Sequence, residues 1–565
     1  MAKVHGGQLV VEALKKEGVT HIFSISGGHI APIYDALIDS GIKLVTTRHE
    51  QAAVMMAGGW ARSTGKPGVA LVTAGPGFTN AITGIADSLL AGAPVVCFGG
   101  AVATDMSDRL DLQELNQMDV IKPITRWARQ VADIRRIPEM VHTAFRQARG
   151  GAPGPVYMEV PADVLGTEID SAALPKVGPM DRPHPGLAAD EINKVMDMIR
   201  AASKPVLVVG SGVYYANGVA DLVGFVDKTG IPTFTTGLGK GCISDEHKYC
   251  YGPSLAIRPG AALAALVGAD LIILVGTRIS LFFAHGKIFN PAAKLIHLNI
   301  DPNELGRNRI PDLGLVADAG QALKQMAEAA AGVIKPESFA AWRAQLDEAH
   351  KKAMEFFKPQ VENNSTPIQP LKLCKEMDTA LEPDDILALD GGDTQVWMGM
   401  VRRNLKPGKT LDSGLFGCLG VGIPFAISAA LAHPDKRVHV LVGDGSLGFN
   451  FMELSTAMCL GVNITVVVNN DAAWGMCKHS QILKYGPGRV FGTEMSDVPY
   501  HKMLEALGGW AVEVDKPDQI RPAIDKARGR GGVTMVNVHV AKGVISPGSV
   551  ALANIGKKEG GFGGY

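Results

Sequence analysis

Short runs of aliphatic and β-branched residues alternate with helix-like segments from end to end of this 565-residue chain. That alternation leaves little choice of fold. A strand buried on both faces reads as an unbroken apolar run, and runs separated by helices pair in parallel. The expected class is α/β, with three doubly wound parallel-sheet domains. A chain this long also exceeds what one ordinary core can organise. The first block covers 1–170, with strands expected at 21–24, 43–46, 68–73, 94–98 and 155–159. A polar, Pro-rich stretch, 174–185, reads as a linker. The second block covers 190–335, with strands at 204–210, 270–276 and 294–300. A charged helical connector leads to the third, 365–541, with strands at 386–390, 437–442, 463–468 and 533–539. Residues 542–565 end in a Gly-rich run and read as a C-terminal tail or lid.

Composition removes several classes of function. Net charge is −1, with acidic and basic residues interspersed. No basic stripe or arm is present for nucleic acid. The longest apolar runs are strand-length, far short of the roughly 20 residues that cross a bilayer. The N-terminus enters an amphipathic helix without a signal-peptide apolar segment. Seven scattered cysteines lack any Cys-x-x-Cys pair, so they read as reduced thiols and the expected location is cytoplasmic.

The stretch richest in chemistry is Val440-Leu441-Val442-Gly443-Asp444-Gly445-Ser446, an apolar strand ending on an aspartate between glycines. A helix is expected at 451–460, then a strand ending in Asn469-Asn470-Asp471. In a right-handed βαβ unit the carboxyl ends of the two strands lie side by side. Asp444 and Asn470 therefore approach each other. A carboxylate, an amide oxygen and a backbone carbonyl beyond Asn470 suit magnesium, which shares hard oxygen donors with phosphate groups. Gly445 admits a close backbone, and amides near Ser446 favour negative charge. Either half alone is an ordinary turn; both together, at two strand ends, are far more specific.

In the first block a strand leads into Arg48-His49-Glu50 and a helix at 51–61. By itself Glu50 is accounted for as an acidic helix start. His29, in Ser26-Gly27-Gly28-His29-Ile30, is accounted for as a packing residue, and Gln113 as a solvated loop residue. In the second block Gly210-Ser211-Gly212 follows a strand but lacks the third glycine of a dinucleotide fingerprint.

Taken together, these stretches resemble the thiamine-diphosphate family that includes acetolactate synthase, pyruvate decarboxylase and benzaldehyde lyase. Arg48-His49-Glu50-Gln51-Ala52-Ala53, Gly58-Gly59-Trp60-Ala61-Arg62, Leu71-Val72-Thr73-Ala74-Gly75-Pro76-Gly77 and Gly84-Ile85-Ala86-Asp87 match its first domain in order. The resemblance covers nearly the whole chain. It implies pyrimidine-binding, middle and diphosphate-binding domains, with thiamine diphosphate and Mg2+ as cofactors. In some relatives the middle domain holds FAD or ADP, a point left open here. The resemblance also implies site roles. Asp444, Asn470 and the carbonyl of Ala472 would hold the metal. Leu419, in Gly417-Cys418-Leu419-Gly420, would prop the cofactor in its bent shape. Gly75, Thr394, Gly417, Gly445 and Ser446 would adjoin it. Glu50 would bond N1′ of the aminopyrimidine and promote loss of the thiazolium C2 proton, a proton transfer suited to a site poor in water. Family sites draw on two chains, which implies a homodimer at least and a homotetramer as the usual form.

Within the family the sequence is most similar to benzaldehyde lyase, at 6–11, around His29, at 47–50, 69–81, 123–128 and 486–490. That likeness assigns His29 and Gln113 to the substrate oxygens. Ala162, Val396 and Met476 depart from it and imply a reshaped pocket. The leading expectation is a lyase or carboligase acting on 2-hydroxy ketones or 2-hydroxyacyl-CoA, with Lys557 and Lys558 of the tail closing over a CoA substrate. The alternatives are an acetolactate-synthase-like decarboxylase and ligase of 2-oxo acids, and a non-catalytic nucleotide-binding protein. Intact Glu50, Asp444 and Asn470 speak against the last.

Overall fold

The computed structural model describes residues 3–254, 258 and 260–554. The chain divides into two compact units, one made of Met1–Pro183, Ser413–Asp435 and Asn450–Asn463, the other of His184–Asp412, Lys436–Phe449 and Ile464–Tyr565.

The first unit opens with β1 (Lys3–His5). Its sheet follows with β2 (His21–Ser24), β3 (Lys43–Thr46), β4 (Gly68–Val72), β5 (Val95–Ala101), β6 (Trp127–Gln130) and β7 (Val156–Pro161). These six lie in the order β3-β2-β4-β5-β7-β6, all parallel, while β1 pairs antiparallel with β8 (Glu168–Asp170). Side chains alternate between faces along a strand. Val69, Leu71, Val96, Phe98, Val156 and Met158 fill one core. Ala70, Cys97 and Tyr157 are equally buried and point to the other face. The expected strands end within three residues of the observed ones. β6 escaped because only Ala128 of its four residues is buried, so it carries no apolar run.

The helix Glu50–Thr64 packs on Pro76–Ala91 and on Gly422–Ala432. A methyl on Gly59 would stand 2.8 Å from Phe425 Cα, so the glycine permits this approach. Beside it Arg62 bonds Asp87 at 2.5 Å, both essentially unexposed, with the guanidinium 4.6 Å from the Phe425 ring centre. Breaking such a pair strands a buried charge. Asp87→Ala is expected to lower stability by about 3–5 kcal/mol, read as a fall in the urea midpoint; an unchanged midpoint would show that the pair is dispensable.

In the second unit β9 (Pro205–Val209), β10 (Thr233–Thr235), β11 (Cys250–Pro253), β12 (Leu271–Val275), β13 (Lys294–Asn299) and β14 (Leu313–Val316) form a parallel sheet ordered β11-β10-β9-β12-β13-β14. Leu207, Val209, Ile273 and Val275 enter one core, while Val206, Val208, Ile272 and Leu274 enter the opposite one. The unbroken apolar runs follow from burial on both faces. β15 (Ile386–Asp390), β16 (Thr410–Leu411), β17 (Val438–Gly443), β18 (Ile464–Asn470), β19 (Trp510–Val514) and β20 (Val533–His539) make a further parallel sheet, ordered β16-β15-β17-β18-β20-β19. Counting strands from the first of each sheet, the β2–β7 and β15–β20 sheets share the order 2-1-3-4-6-5. The middle one runs 3-2-1-4-5-6.

The helix expected at 451–460 is Glu453–Cys459, and a further short helix, Asp444–Phe449, precedes it. Part of the expected tail is folded: Pro547–Ala553 is a helix packed on Gly475–Tyr485 and Gly392–Val401. Lys557 and Lys558 lie outside the described residues. All seven cysteines are free, and burial pushes the Cys97 thiol up to about 12. Among the described residues no helix is long and apolar enough to cross a membrane.

Candidate active site

In an open α/β sheet, ligands bind beyond the carboxyl ends of strands where the strand order reverses. In the first unit that gap lies between β2 and β4, which are adjacent there. The corner after β4, from Thr73 to Gly77, is the common neighbour of three candidate residues. Thr73 Oγ1 is 3.4 Å from His29 Nδ1. A methyl on Gly75 would stand 2.6 Å from the Gln113 carbonyl oxygen, and one on Gly77 would stand 3.5 Å from Glu50 Oε1. Gly75 has φ +58, a positive value that suits glycine. Its amide donates to Gln117 Oε1 at 2.8 Å, while Gln117 Nε2 has the Gly100 carbonyl, Tyr157 Oη and Glu159 Oε2 within hydrogen-bond reach of its two hydrogens.

Glu50 opens its helix behind His49, whose ring accepts the Gln51 amide at 3.1 Å. Asn80 Nδ2 donates to Glu50 Oε2 at 2.9 Å. The strand-to-helix turn is held from beneath by Glu453 Oε1, which accepts the amides of Arg48 (2.8 Å) and His49 (3.1 Å). Burial holds the Glu453 carboxyl above its ordinary range, although these hydrogen bonds oppose the shift. Gly417 (φ +66) and half-buried Leu419 lie in the turn before Gly422–Ala432, in the same unit. Asn450 Nδ2 fixes that turn through the Gly420 carbonyl at 2.6 Å.

In the second unit the equivalent gap lies between β15 and β17. Gly391 (φ +101) begins the turn into the helix Gly392–Val401. A methyl on it would stand 3.2 Å from Ser446 Oγ and 3.3 Å from the Gly443 nitrogen. Thr394 Oγ1 accepts Asn469 Nδ2 at 3.0 Å. Gly391, Thr394, Gly443 and Ser446 therefore surround one small cradle. Gly445 has no room for a side chain, since a methyl there would stand 2.6 Å from the Trp474 ring.

Gly443 pairs with Asn469, so the next residues, Asp444 and Asn470, stand opposite one another at the strand ends. Both are buried. The Asn470 amide nitrogen donates to Asn537 (3.3 Å) and Asp497 (3.4 Å), and its oxygen accepts the Ala472 amide at 3.1 Å. The Ala472 carbonyl accepts Met495 N at 2.9 Å, leaving one lone pair. Ala472 itself is held at φ +50, a strained state for a non-glycine residue and a feature that concentrates at ligand sites. Asp471 adds a second carboxylate beside Asp444. Burial first, then the Asp471 charge, pushes the Asp444 carboxyl up to about 7. A buried carboxyl beside a half-buried one is relieved by a cation, and the donors are hard oxygens of the kind magnesium takes. Among the described residues no cluster of three His, Cys, Asp or Glu suits a metal, so this mixed carboxylate–amide–carbonyl set is the candidate.

The sequence expectations missed Asp471, Asn80, Glu453 and Gln117. Only Asp471 carried a visible signal, as a third polar residue after Asn469-Asn470. In the middle sheet, a methyl on Gly212 would stand 2.6 Å from Gly276 Cα, so close backbone packing accounts for those glycines without a nucleotide.

Comparison with known proteins matches three consecutive segments. Residues 4–120 match the thiamine pyrophosphate enzyme N-terminal TPP binding domain, 192–326 the central domain, and 390–538 the C-terminal TPP binding domain. A probable acetolactate synthase large subunit of Methanocaldococcus jannaschii is 32% identical, over 92% of this chain and 89% of that one. Proteins named 2-hydroxyacyl-CoA lyase 2 are similarly related. That of Danio rerio is 31% identical over 97% of this chain and 93% of its own, and that of Homo sapiens 30% over 97% and 92%. With all three domain models matched in order and relatives aligned along nearly their full length, the chain belongs to the thiamine pyrophosphate enzymes and depends on thiamine diphosphate.

Proposed function

We propose that the protein is a Mg2+-requiring carbon–carbon lyase and carboligase, cleaving or forming 2-hydroxyacyl-CoA or 2-hydroxy ketones. The observation that carries this reading is the Thr73–Gly77 corner, which gathers His29 and Gln113 with Glu50. When bound, thiamine diphosphate supplies a nucleophilic thiazolium carbon and an electron sink. Asp444, Asn470 and the Ala472 carbonyl would hold the Mg2+, with Gly75, Thr394, Gly417, Gly445 and Ser446 adjoining the cofactor and Leu419 supporting its bend. Glu50 holds the proton at N1′ of the aminopyrimidine, its other oxygen fixed by Asn80. His29 takes the proton of the substrate hydroxyl as the carbon–carbon bond breaks, and Gln113 steadies the substrate oxygen. A 2-hydroxy substrate has the hydroxyl that His29 needs; a 2-oxo acid does not. The 2-hydroxyacyl-CoA lyase relatives support this substrate class, and Val396 and Met476 fit a pocket shaped for something other than benzaldehyde.

A homodimer is the minimum assembly in this proposal and a homotetramer its expected form. Leu110 and Leu112, 98% and 76% exposed near Gln113, support it, because bare apolar side chains clustered on a loop mark association surfaces. A monomer mass by light scattering would remove it. Free, buried Cys97, Cys242 and Cys374 suit a cytoplasmic setting.

The second reading, an acetolactate-synthase-like ligase of 2-oxo acids, is favoured by the acetolactate synthase relatives. One assay separates the two. Protein loaded with thiamine diphosphate and Mg2+ is expected to release aldehyde from 2-hydroxyacyl-CoAs or acyloins without carbon dioxide. His29→Ala is expected to lower that rate by about 100-fold or more. Preferred consumption of pyruvate with carbon dioxide release, unaffected by His29→Ala, would establish the second reading instead.

A further inference from the structure

The C-terminal segment is fastened to the third domain through one buried carboxylate. Asp393, at the start of the helix after β15, is 9% exposed. Its Oδ1 accepts the hydroxyls of Ser546 and, at 2.8 Å, Ser549, both fully buried. Its Oδ2 lies 3.0 Å from His479 Nδ1, and His479 Nε2 lies 3.2 Å from the Lys542 carbonyl. Three points along 542–549 therefore end on one carboxylate and its histidine. Gly548 is pressed between side chains: a methyl there would stand 2.6 Å from Val396 Cγ2 and 3.0 Å from Met476 Cε. The far side of the same carboxylate faces the strand ends. A methyl on Gly475 would stand 3.3 Å from Asp393 Oδ2 and 2.6 Å from Asp471 Oδ2. Gly475 thus lies against both carboxylates, and Asp471 in turn adjoins Asp444.

We infer that Asp393 is a positioning residue that ties the C-terminal segment to the cation-site strand ends, so that filling that site and ordering residues 542–554 favour each other. The inference rests on the proposed Asp444–Asn470 cation site. Asp471 has one side toward Asp444 and the other toward Gly475 and Asp393. Settling Asp471 by a cation fixes the wall against which Asp393 holds its serines. Coupling of this kind is reciprocal: a docked segment raises affinity at the strand ends as much as loading tightens the segment.

Hydrogen–deuterium exchange on the full-length protein tests it, comparing chelator-treated protein with protein given Mg2+ and thiamine diphosphate. Loading is expected to slow exchange in peptides covering 542–554 by about tenfold, together with peptides covering 438–472. In Asp393→Asn, and in Ser546→Ala combined with Ser549→Ala, the 542–554 peptides are expected to exchange faster and to ignore loading, while 438–472 still responds. A latch that only stabilised the fold would speed exchange without abolishing that response. Two outcomes overturn the inference: an unresponsive 542–554 in the wild type while 438–472 slows, or a wild-type response in both variants. If neither segment responds in the wild type, the cation-site reading itself fails and takes the inference with it.

Discussion

Glu50→Gln is expected to slow exchange of the thiazolium C2 proton by about 100- to 10,000-fold while leaving thiamine diphosphate binding nearly intact. Glutamine keeps the size of the side chain and its place at the helix start. It also keeps an oxygen for Asn80, which holds Oε2 at 2.9 Å. The end against Gly77 then becomes an amide NH2, which cannot share a proton with N1′ of the pyrimidine. The loss is one of proton transfer rather than of shape. Exchange is followed by NMR after acid quench and binding by calorimetry. A wild-type exchange rate in the variant would remove Glu50 from the chemistry, whatever its position in the fold.

Asp444→Asn is expected to weaken Mg2+-dependent thiamine diphosphate binding by at least about 100-fold. The substitution changes one oxygen into a nitrogen and removes a charge at a position only 2% exposed. The cation loses its one carboxylate among the three proposed ligands. The cation-free protein is expected to be no less stable, because burial first, and then the neighbouring Asp471 charge, already disfavour a charged carboxylate at Asp444. Calorimetric titration of cofactor with and without Mg2+, beside a thermal melt of the cation-free protein, reads both effects. Unchanged affinity would show that the metal sits elsewhere. Loss of affinity together with a collapsed melt would show that Asn at this position misfolds the strand ends.

What could be read from the sequence follows burial. β9, β12, β17 and β18 are covered on both faces, so each spells an unbroken apolar run that cannot be mistaken for a loop. The adjacency of Asp444 and Asn470 followed from the hand of one βαβ unit, and β17 and β18 pair in that register. Edge and short strands were hidden: β6 is half-exposed, and β10 is only Thr233–Thr235. The support around the candidate residues was hidden for another reason. Glu453 reaches the amides of Arg48 and His49 across 405 and 404 positions, and Ser546 reaches Asp393 across 153. Contacts made by lone polar side chains leave no periodicity for a reader of sequence to find. Asp393 itself stands beside Thr394, a named candidate, and carried no signal of its own.

Two sheets of this chain repeat one winding scheme, and they lie in the two segments that match TPP binding domains. The scheme needs only a gap between the first and third strands. What is chemical about it resides in the handful of residues that cap those strands. A frame of that sort can lose most of its original side chains and still present the same few groups in the same places. Relatives that share fewer than one residue in three with it nonetheless align along almost their entire length for that reason, and new specificities are most readily made by rewriting strand caps rather than strands.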